Sequence, residues 1–349
     1  MKNFEVISHP KELYKKMLRD ISLARKSIYL ETYIYTNDKI GRLFRDALAK
    51  KSREGVKVLI LIDSYGGKEI NAAFFQKDAK NEEIRFFKND FHIFKVLFKE
   101  HEVNHRKLLI VDEKMVYFGS TNITENCLDW RELNLRIGGD ITRHFADSFK
   151  YSWNLSQKLN KKKLKLVLHK GFEILHDIPR IKGFMQNKYV KMLKQARSEI
   201  LIETPYFVPT LRIRRALRKA VKRGVRVKII LPHKSDLFLF DIIRNRYLSS
   251  LYKAGVEIFY YMPRILHSKL LMVDNKFFLL GSSNLDFRSF FQDHQLNLFG
   301  RDKKMISELR KFFDSGMAHS KPFNYEEWKS RSSFTKIIEL VLSAVEERL

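Results

Sequence analysis

The sequence carries the same three chemical groups twice, at identical spacing. Each copy has a histidine, a lysine two positions later and an aspartate seven positions later: His105, Lys107 and Asp112, and again His267, Lys269 and Asp274. An imidazole can act as a nucleophile or as a general acid, and a lysine supplies a fixed positive charge. Buried lysines beside histidines are energetically unfavourable without a function, so we predict that these six residues form a catalytic set.

A serine and an asparagine follow each copy. They are Ser120 and Asn122 in the first, and Ser282 and Asn284 in the second. Both side chains can donate hydrogen bonds to a phosphate. Two copies around one cavity suit a phosphate diester: one histidine attacks phosphorus, the other protonates the leaving oxygen, and the lysines and asparagines stabilise the charge. The lysines would take the place of a metal ion, so we expect neither metal nor cofactor. The residues alone leave the order of the two histidines open.

The elements that must position these groups are duplicated as well. Residues 24–32 are similar to residues 196–204, and residues 54–60 to residues 223–229, in the same order along the chain. The apolar runs predict strands and the charged amphipathic stretches predict helices. The strands are expected at 27–35, 56–62, 199–204 and 225–231, and the helices at about 38–53 and 209–223. The pattern predicts an α/β fold made of two duplicated halves.

Each histidine segment is expected to run into a strand that turns back tightly. Asp112-Glu113 and Asp274-Asn275 are turn-forming pairs, and second strands are predicted at 114–118 and 276–280. The serines and asparagines that follow would then lie beside the histidines, on the same rim of the sheet.

The chain divides into four parts on this interpretation. The first half covers 1–155 and the second half 189–325. Between them, 156–188 is rich in lysine and is interpreted as a basic connector. Residues 326–349 form a C-terminal helical tail, which we expect to dock on the body of the protein.

Composition narrows the class of protein. The 349 residues carry 67 Lys+Arg and 40 Asp+Glu, a net charge of +27, and 44% are hydrophobic. This content excludes a disordered chain, and the charge predicts a polyanionic partner, either nucleic acid or an anionic lipid surface. No apolar run reaches the roughly 18–20 residues that span a bilayer, and the N-terminus lacks the apolar core of a signal peptide. With one cysteine, Cys127, we expect an intracellular protein, soluble or attached to the membrane surface.

The doubled pattern His-x-Lys-x4-Asp-x6-Gly-Ser-x-Asn resembles the phospholipase D superfamily. The resemblance covers both halves, about residues 20–300. It implies two α/β sandwich halves, each a mixed sheet flanked by helices, packed as a pseudo-dimer with one active site at the interface. It also implies a covalent phosphohistidine without a metal, with His105 as nucleophile and His267 as general acid.

Three further stretches are similar to bacterial cardiolipin synthases, namely 283–290, 203–209 and Trp130-Arg131-Glu132. This similarity implies phosphatidyl transfer, in which one phosphatidylglycerol is attacked and a lipid alcohol resolves the intermediate. The supporting acidic position is Glu132 in one half but Gln295 in the other. Hydrolysis by water and cleavage of DNA or RNA by the same chemistry are the alternatives, and the phenylalanine-rich segments favour lipid.

A lipid substrate requires a docking surface on the cytoplasmic side of the membrane. Residues 86–99 carry phenylalanines at helical spacing, and 237–243 is a second apolar stretch. We predict that these segments flank the entrance, although an ordinary core helix explains 86–99 equally well. The candidate docking residues are Phe87, Phe91, Phe94, Phe98, Phe238 and Phe240.

Overall fold

The computed structural model describes residues 3–75, 80–87, 102–157, 166–179 and 183–344. The docking candidates Phe91, Phe94 and Phe98 lie outside these ranges.

The first half is one mixed sheet of seven strands with helices on its faces. Its strand order is β1-β7-β6-β5-β2-β3-β4, with β2, β3 and β4 parallel and the other pairs antiparallel. The elements are β1 (Phe4–Ile7), α1 (Pro10–Ser22), β2 (Ser27–Thr32), α2 (Lys39–Arg53), β3 (Lys57–Asp63), β4 (Glu82–Phe87), β5 (Leu108–Val111), β6 (Met115–Gly119), β7 (Asn134–Gly138) and α3 (Ile141–Leu155).

The second half repeats this sheet and extends it. Its order is β16-β12-β11-β10-β13-β14-β15-β9-β8, in which β10, β11 and β12 are parallel, as β2, β3 and β4 are. The elements are β8 (Leu166–His169), β9 (Phe172–Asp177), α4 (Phe184–Gln195), β10 (Glu199–Glu203), α5 (Leu211–Lys222), β11 (Arg226–Pro232), α6 (Phe238–Tyr252), β12 (Glu257–Tyr261), β13 (Leu270–Val273), β14 (Phe277–Gly281), α7 (Phe287–Phe291), β15 (Gln295–Gly300), α8 (Lys303–Ala318), β16 (Ser320–Pro322), α9 (Tyr325–Lys329) and α10 (Ser333–Ala344). The predicted α/β fold with two duplicated halves is confirmed.

The two halves share one hydrophobic core. This core joins β5 and β6 of the first sheet to β13 and β14 of the second, and α3 and α8 pack into it. Phe145 and Phe149 of α3 and Leu309 and Phe313 of α8 are all buried there. Because removing these side chains from water requires both halves, the halves are held as a pseudo-dimer.

The segment between the halves contributes structure that composition did not predict. Strands β8 and β9 lie within 156–188, the range interpreted as a connector, and β9 pairs with β15 of the second sheet. It occupies the place that β1 takes beside β7 in the first half. Strands β8 and β9 are therefore part of the second sheet. Its far edge is formed by β16, and α9 and α10 follow as the C-terminal tail. Within the described ranges, no helix is both long and apolar enough to cross a bilayer.

Asp112 and Asp274 lie in the turns that separate β5 from β6 and β13 from β14. Their φ angles are 52° and 55°, and the next residues also have positive φ, which is the type I′ geometry of tight hairpins. The Asp112 carboxylate accepts hydrogen bonds from the backbone N–H groups of Lys26 (2.7 Å) and Ser27 (3.0 Å).

Asp274 makes the equivalent bonds to the start of β10, from Ser198 N (2.8 Å) and Glu199 N (2.9 Å). Each aspartate is therefore separated from its histidine by a whole strand. Its carboxylate links the hairpin to the start of the neighbouring strand. Partial burial acts to raise the pKa of Asp112, but the backbone N–H donors outweigh it and lower the pKa below its ordinary value of 3.8.

This position predicts a loss of stability for Asp112→Ala. Removing an ionised acceptor of several backbone hydrogen bonds should lower the free energy of unfolding by about 1–3 kcal/mol at pH 7. The folded-state pKa is depressed, so the difference from wild type should be complete at neutral pH and vanish as pH falls through that pKa. Chemical denaturation at several pH values measures it.

Asp129→Ala is the matched control, because Asp129 is exposed and pairs only across the surface with Lys11. Its effect should stay within about 0.5 kcal/mol. An Asp112→Ala protein of wild-type stability but without turnover would instead assign this aspartate to the chemistry.

Candidate active site

The two histidines are placed by chain segments that cross from one half to the other. His105 lies just before β5, and its backbone N–H donates to His294 O of the second half at 3.0 Å. His267 lies just before β13, and its backbone N–H donates to Arg131 O of the first half at 2.8 Å. Each histidine is therefore fixed by the partner half, and the site exists only where the two halves meet.

The rings are oriented by the residues that follow those crossing points. His105 Nδ1 lies 3.1 Å from Gln295 Oε1 and 3.2 Å from the Ser282 carbonyl oxygen. His267 Nδ1 lies 2.9 Å from the Glu132 carboxylate. All of these partners are acceptors, so each Nδ1 carries a proton and donates it. In a neutral ring, Nε2 is then left as the unprotonated nitrogen.

The two supporting residues give the histidines different electrostatic surroundings. Burial lowers the pKa of His105 well below its usual value, and Lys107 and Lys269 lower it further. Burial also lowers the pKa of His267, but the Glu132 carboxylate opposes this shift. The pKa of His267 stays below its ordinary value, but of the two rings it is the one beside a carboxylate that favours the protonated form.

Both lysines are buried, each beside the backbone carbonyl of its own histidine. Lys107 Nζ donates to His105 O at 2.8 Å, and Lys269 Nζ donates to His267 O at 2.6 Å. Burial lowers the pKa of Lys107 well below its usual value and that of Lys269 to about 8. Two ammonium groups held out of water favour an anion between them.

The serines and asparagines of the motif lie in the same region but serve partly to hold the site together. The Ser120 hydroxyl donates to Glu132, and Asn122 Oδ1 accepts from the Ile34 backbone N–H at 3.1 Å. The Ser282 hydroxyl accepts from Leu296 N at 3.0 Å. Asn284 Oδ1 is buried without a hydrogen-bond partner in the described part of the chain.

Aromatic rings surround the histidines. Tyr33 lies 4.9 Å from the His105 ring, and Trp130 and Tyr206 lie 5.2 Å and 6.4 Å from the His267 ring, measured between centroids. These rings limit the access of water to both imidazoles. The described residues contain no group of three or more His, Cys, Asp or Glu side chains arranged to hold a metal ion.

A buried glutamate supports the histidine segment in each half, and the sequence prediction did not include either one. In the first half, Glu31 accepts from Asn104 Nδ2 at 2.8 Å and lies 3.6 Å from Arg106 Nε. Asn104 and Arg106 flank His105 on both sides. Glu31 therefore fixes the backbone that carries this ring.

In the second half, Glu203 accepts from the Ser268 hydroxyl and from Arg131 Nε at 2.8 Å. The Arg131 guanidinium also donates to Phe312 O at 2.6 Å. Ser268 follows His267, and Arg131 precedes its partner Glu132. A signal was present in the sequence, since Glu31 and Glu203 are charged residues at equivalent positions of otherwise apolar strands.

The predicted docking residues that the structure describes differ in their exposure to solvent. Phe87 is buried in the shared core, 5.1 Å from the His294 ring, so its assignment to a membrane surface is wrong. Phe240 is half-buried against Tyr206, with ring centroids 4.7 Å apart. Phe238 is exposed at the start of α6.

Comparisons with known proteins agree with this geometry. Residues 17–153 and 189–317 match the protein family described as cardiolipin synthase, PLD-like domain. The chain is 30% identical over 357 residues to the major cardiolipin synthase of Bacillus subtilis (strain 168), covering 97% of this chain and 73% of that protein. It is 32% identical over 336 residues to a cardiolipin synthase of Oceanobacillus iheyensis, covering 91% and 69%.

The fold is also found in a solved structure. The crystal structure of phosphatidylserine synthase from Haemophilus influenzae Rd KW20 superposes with a TM-score of 0.77, at 14% identity, covering 99% of this chain and 95% of that one. This likeness establishes the architecture. The two segments matched by the family model, each of which contains one histidine-lysine pair, show that the chain belongs to the cardiolipin synthase family of phospholipase D-like proteins.

Proposed function

We propose that this chain is a phosphatidyltransferase of the cardiolipin synthase type, which joins two phosphatidylglycerol molecules and releases glycerol. The observation that carries the proposal is the unequal support of two histidines at one interface. His105 faces the neutral Gln295, whereas His267 faces the Glu132 carboxylate. One nucleophile and one proton donor are the two groups that a displacement at phosphorus needs.

His105 is the nucleophile on this proposal. Its Nδ1 proton is held by Gln295 and Ser282 O, so the lone pair of Nε2 is available, and its depressed pKa keeps the ring neutral. Nε2 attacks the phosphorus of the donor lipid, the P–N bond forms, and the bond from phosphorus to the glycerol oxygen breaks. Protonated His267 transfers its Nε2 proton to that oxygen, so that glycerol leaves neutral.

The second step reverses the roles of proton donor and acceptor. Neutral His267 takes the proton from a glycerol hydroxyl of a second phosphatidylglycerol, and the oxygen of this hydroxyl attacks phosphorus as the P–N bond breaks. On this proposal, Lys107 and Lys269 stabilise the negative charge on the non-bridging oxygens in both steps. Asn284 Oδ1 can accept a hydrogen bond from a substrate hydroxyl.

Transfer requires that a lipid alcohol reach the intermediate before water does. The rings of Tyr33, Trp130 and Tyr206 around the histidines support exclusion of water. The same proposal places the enzyme at the cytoplasmic surface of the membrane, where its substrate lies.

Incubation with phosphatidylglycerol vesicles tests the reaction. We expect cardiolipin and glycerol in equal amounts, identified by mass spectrometry, and no product from His105→Ala. Phosphatidic acid in place of cardiolipin would mean that water resolves the intermediate. Cleavage of DNA or RNA that depends on His105, without any lipid product, would replace the lipid substrate by nucleic acid.

The single variants His105→Ala and His267→Ala should each lose at least about three orders of magnitude in turnover, because both histidines act on one phosphorus. The measurement is the initial rate of cardiolipin formation at saturating lipid. Retention of about half the activity in each variant would indicate two independent sites instead.

Substituting Glu132 and Gln295 should move the two limbs of the pH–rate profile in opposite directions. Glu132→Gln lowers the pKa of His267, which must be protonated, so the alkaline limb should move to lower pH. Gln295→Glu raises the pKa of His105, which must be neutral, so the acidic limb should move to higher pH. Ring-nitrogen NMR shifts of labelled histidines give both pKa values, and the rate profile on a soluble diester gives the limbs. A reversed pattern would exchange the roles of the two histidines.

A further inference from the structure

We infer that α6 and α10 together form one surface that binds an anionic phospholipid bilayer beside the active site; this inference rests on the proposed function. The surface, here named the apolar rim, consists of Leu237, Phe238 and Leu239 at the start of α6 and of Ile337 and Val341 on α10. Their exposed fractions are 45%, 73% and 45%, and 59% and 62%.

The two parts of the apolar rim lie at the same end of the molecule. The chain from α9 to α10 runs antiparallel to α6: Tyr325 stacks on Tyr252 at the end of α6, and Trp328 Nε1 donates to Asn245 O in its middle. Leu342, near the end of α10, and Phe240, in the first turn of α6, pack against the same buried cluster of Val208, Ile243 and Tyr247. The last turns of α10 therefore lie beside the exposed start of α6.

One face of α10 is fixed to the body of the protein. Glu339 is buried, and its carboxylate accepts from Arg331 Nε at 2.8 Å and from the second guanidinium nitrogen at 2.9 Å. Ile337 and Val341 are four residues apart, so they share one face of the helix. That face is directed to solvent, although large apolar residues are normally those a helix buries.

The apolar rim is continuous with the active site. Phe240 follows the rim along α6 and contacts Tyr206, whose ring lies 6.4 Å from that of His267. The Tyr206 hydroxyl donates to Asp236 at 2.8 Å, which holds the ring between the rim and the histidine. A lipid whose acyl chains remain in a bilayer under the rim would have its headgroup on the side of His267.

The charge around the rim suits an anionic bilayer. Lys234, Arg246, Lys329 and Lys336 are exposed on or next to the same helices. Of the acidic side chains in this region, Asp241 pairs with Arg244 and Glu339 with Arg331, and Asp236 accepts from the Tyr206 hydroxyl. Glu326 and Glu327 on α9 are exposed. Basic residues near an anionic surface add to the binding that inserted apolar side chains provide.

The test compares the wild-type protein with Phe238→Ser/Leu239→Ser and with Ile337→Ser/Val341→Ser. Each is sedimented with vesicles of phosphatidylglycerol and phosphatidylcholine, and the partition coefficient should fall by about tenfold or more in both variants. The matched control is Leu166→Ser/Leu168→Ser, which removes two exposed leucines from β8 on the other edge of the sheet. This control should bind like wild type.

Two results would overturn the inference. Wild-type binding by both rim variants would show that the rim does not contact the bilayer, and an equal loss in the control would show that binding depends on general surface apolarity. Unchanged thermal midpoints of the variants exclude a folding defect as the cause.

A short-chain phosphatidylglycerol dispersed as monomers separates this inference from the proposed function. The rim variants should turn over this substrate at the wild-type rate, whereas His105→Ala should be inactive yet bind vesicles normally. A wild-type protein that binds vesicles through the rim but forms no lipid product would contradict the proposed reaction and leave the docking surface standing.

Discussion

The active site depends on the reciprocal pairing of backbone segments across the interface of the two halves. His105 N–H bonds to His294 O, and His267 N–H bonds to Arg131 O. Because Gln295 and Glu132 are the next residues along those partner segments, the same bonds deliver the side chains that orient the rings. Neither half can form a complete histidine pair alone, and the shared core supplies the free energy that keeps the halves in register.

Each half buries a glutamate at the equivalent position, and the two carboxylates are paired with different cations. Glu31 is paired with Arg106 of its own half. The position equivalent to Arg106 is Ser268, and Glu203 instead forms an ion pair with Arg131 of the other half. A buried carboxylate without a cation would be strongly destabilising, so the half with Ser268 at this position takes its cation, Arg131, from the other half. Arg131 thereby links the two halves immediately beside Glu132.

The sequence predicted the repeated elements well because each depends on local patterns. The turns at Asp112 and Asp274 and the strands around them follow from apolar runs and turn residues, and the structure has them within one or two positions. Roles that depend on tertiary contacts are harder to predict from the sequence. The two aspartates recur with the histidines, so the spacing alone predicts a catalytic role, whereas their carboxylates accept hydrogen bonds from backbone N–H groups a strand away.

Charge within the site explains how the duplicated motif can favour substrate. Burial depresses the pKa of both lysines, and each lysine lowers the pKa of His105 in turn, so without an anion these groups repel one another. A phosphodiester between them would stabilise the charged lysines and raise their pKa, so its binding is coupled to proton uptake. Glu132 offsets part of the repulsion at His267 and at both lysines, whereas the side chain at His105 is the neutral Gln295. The asymmetry between Glu132 and Gln295 therefore separates the two imidazoles chemically, although the backbone around them is repeated almost unchanged.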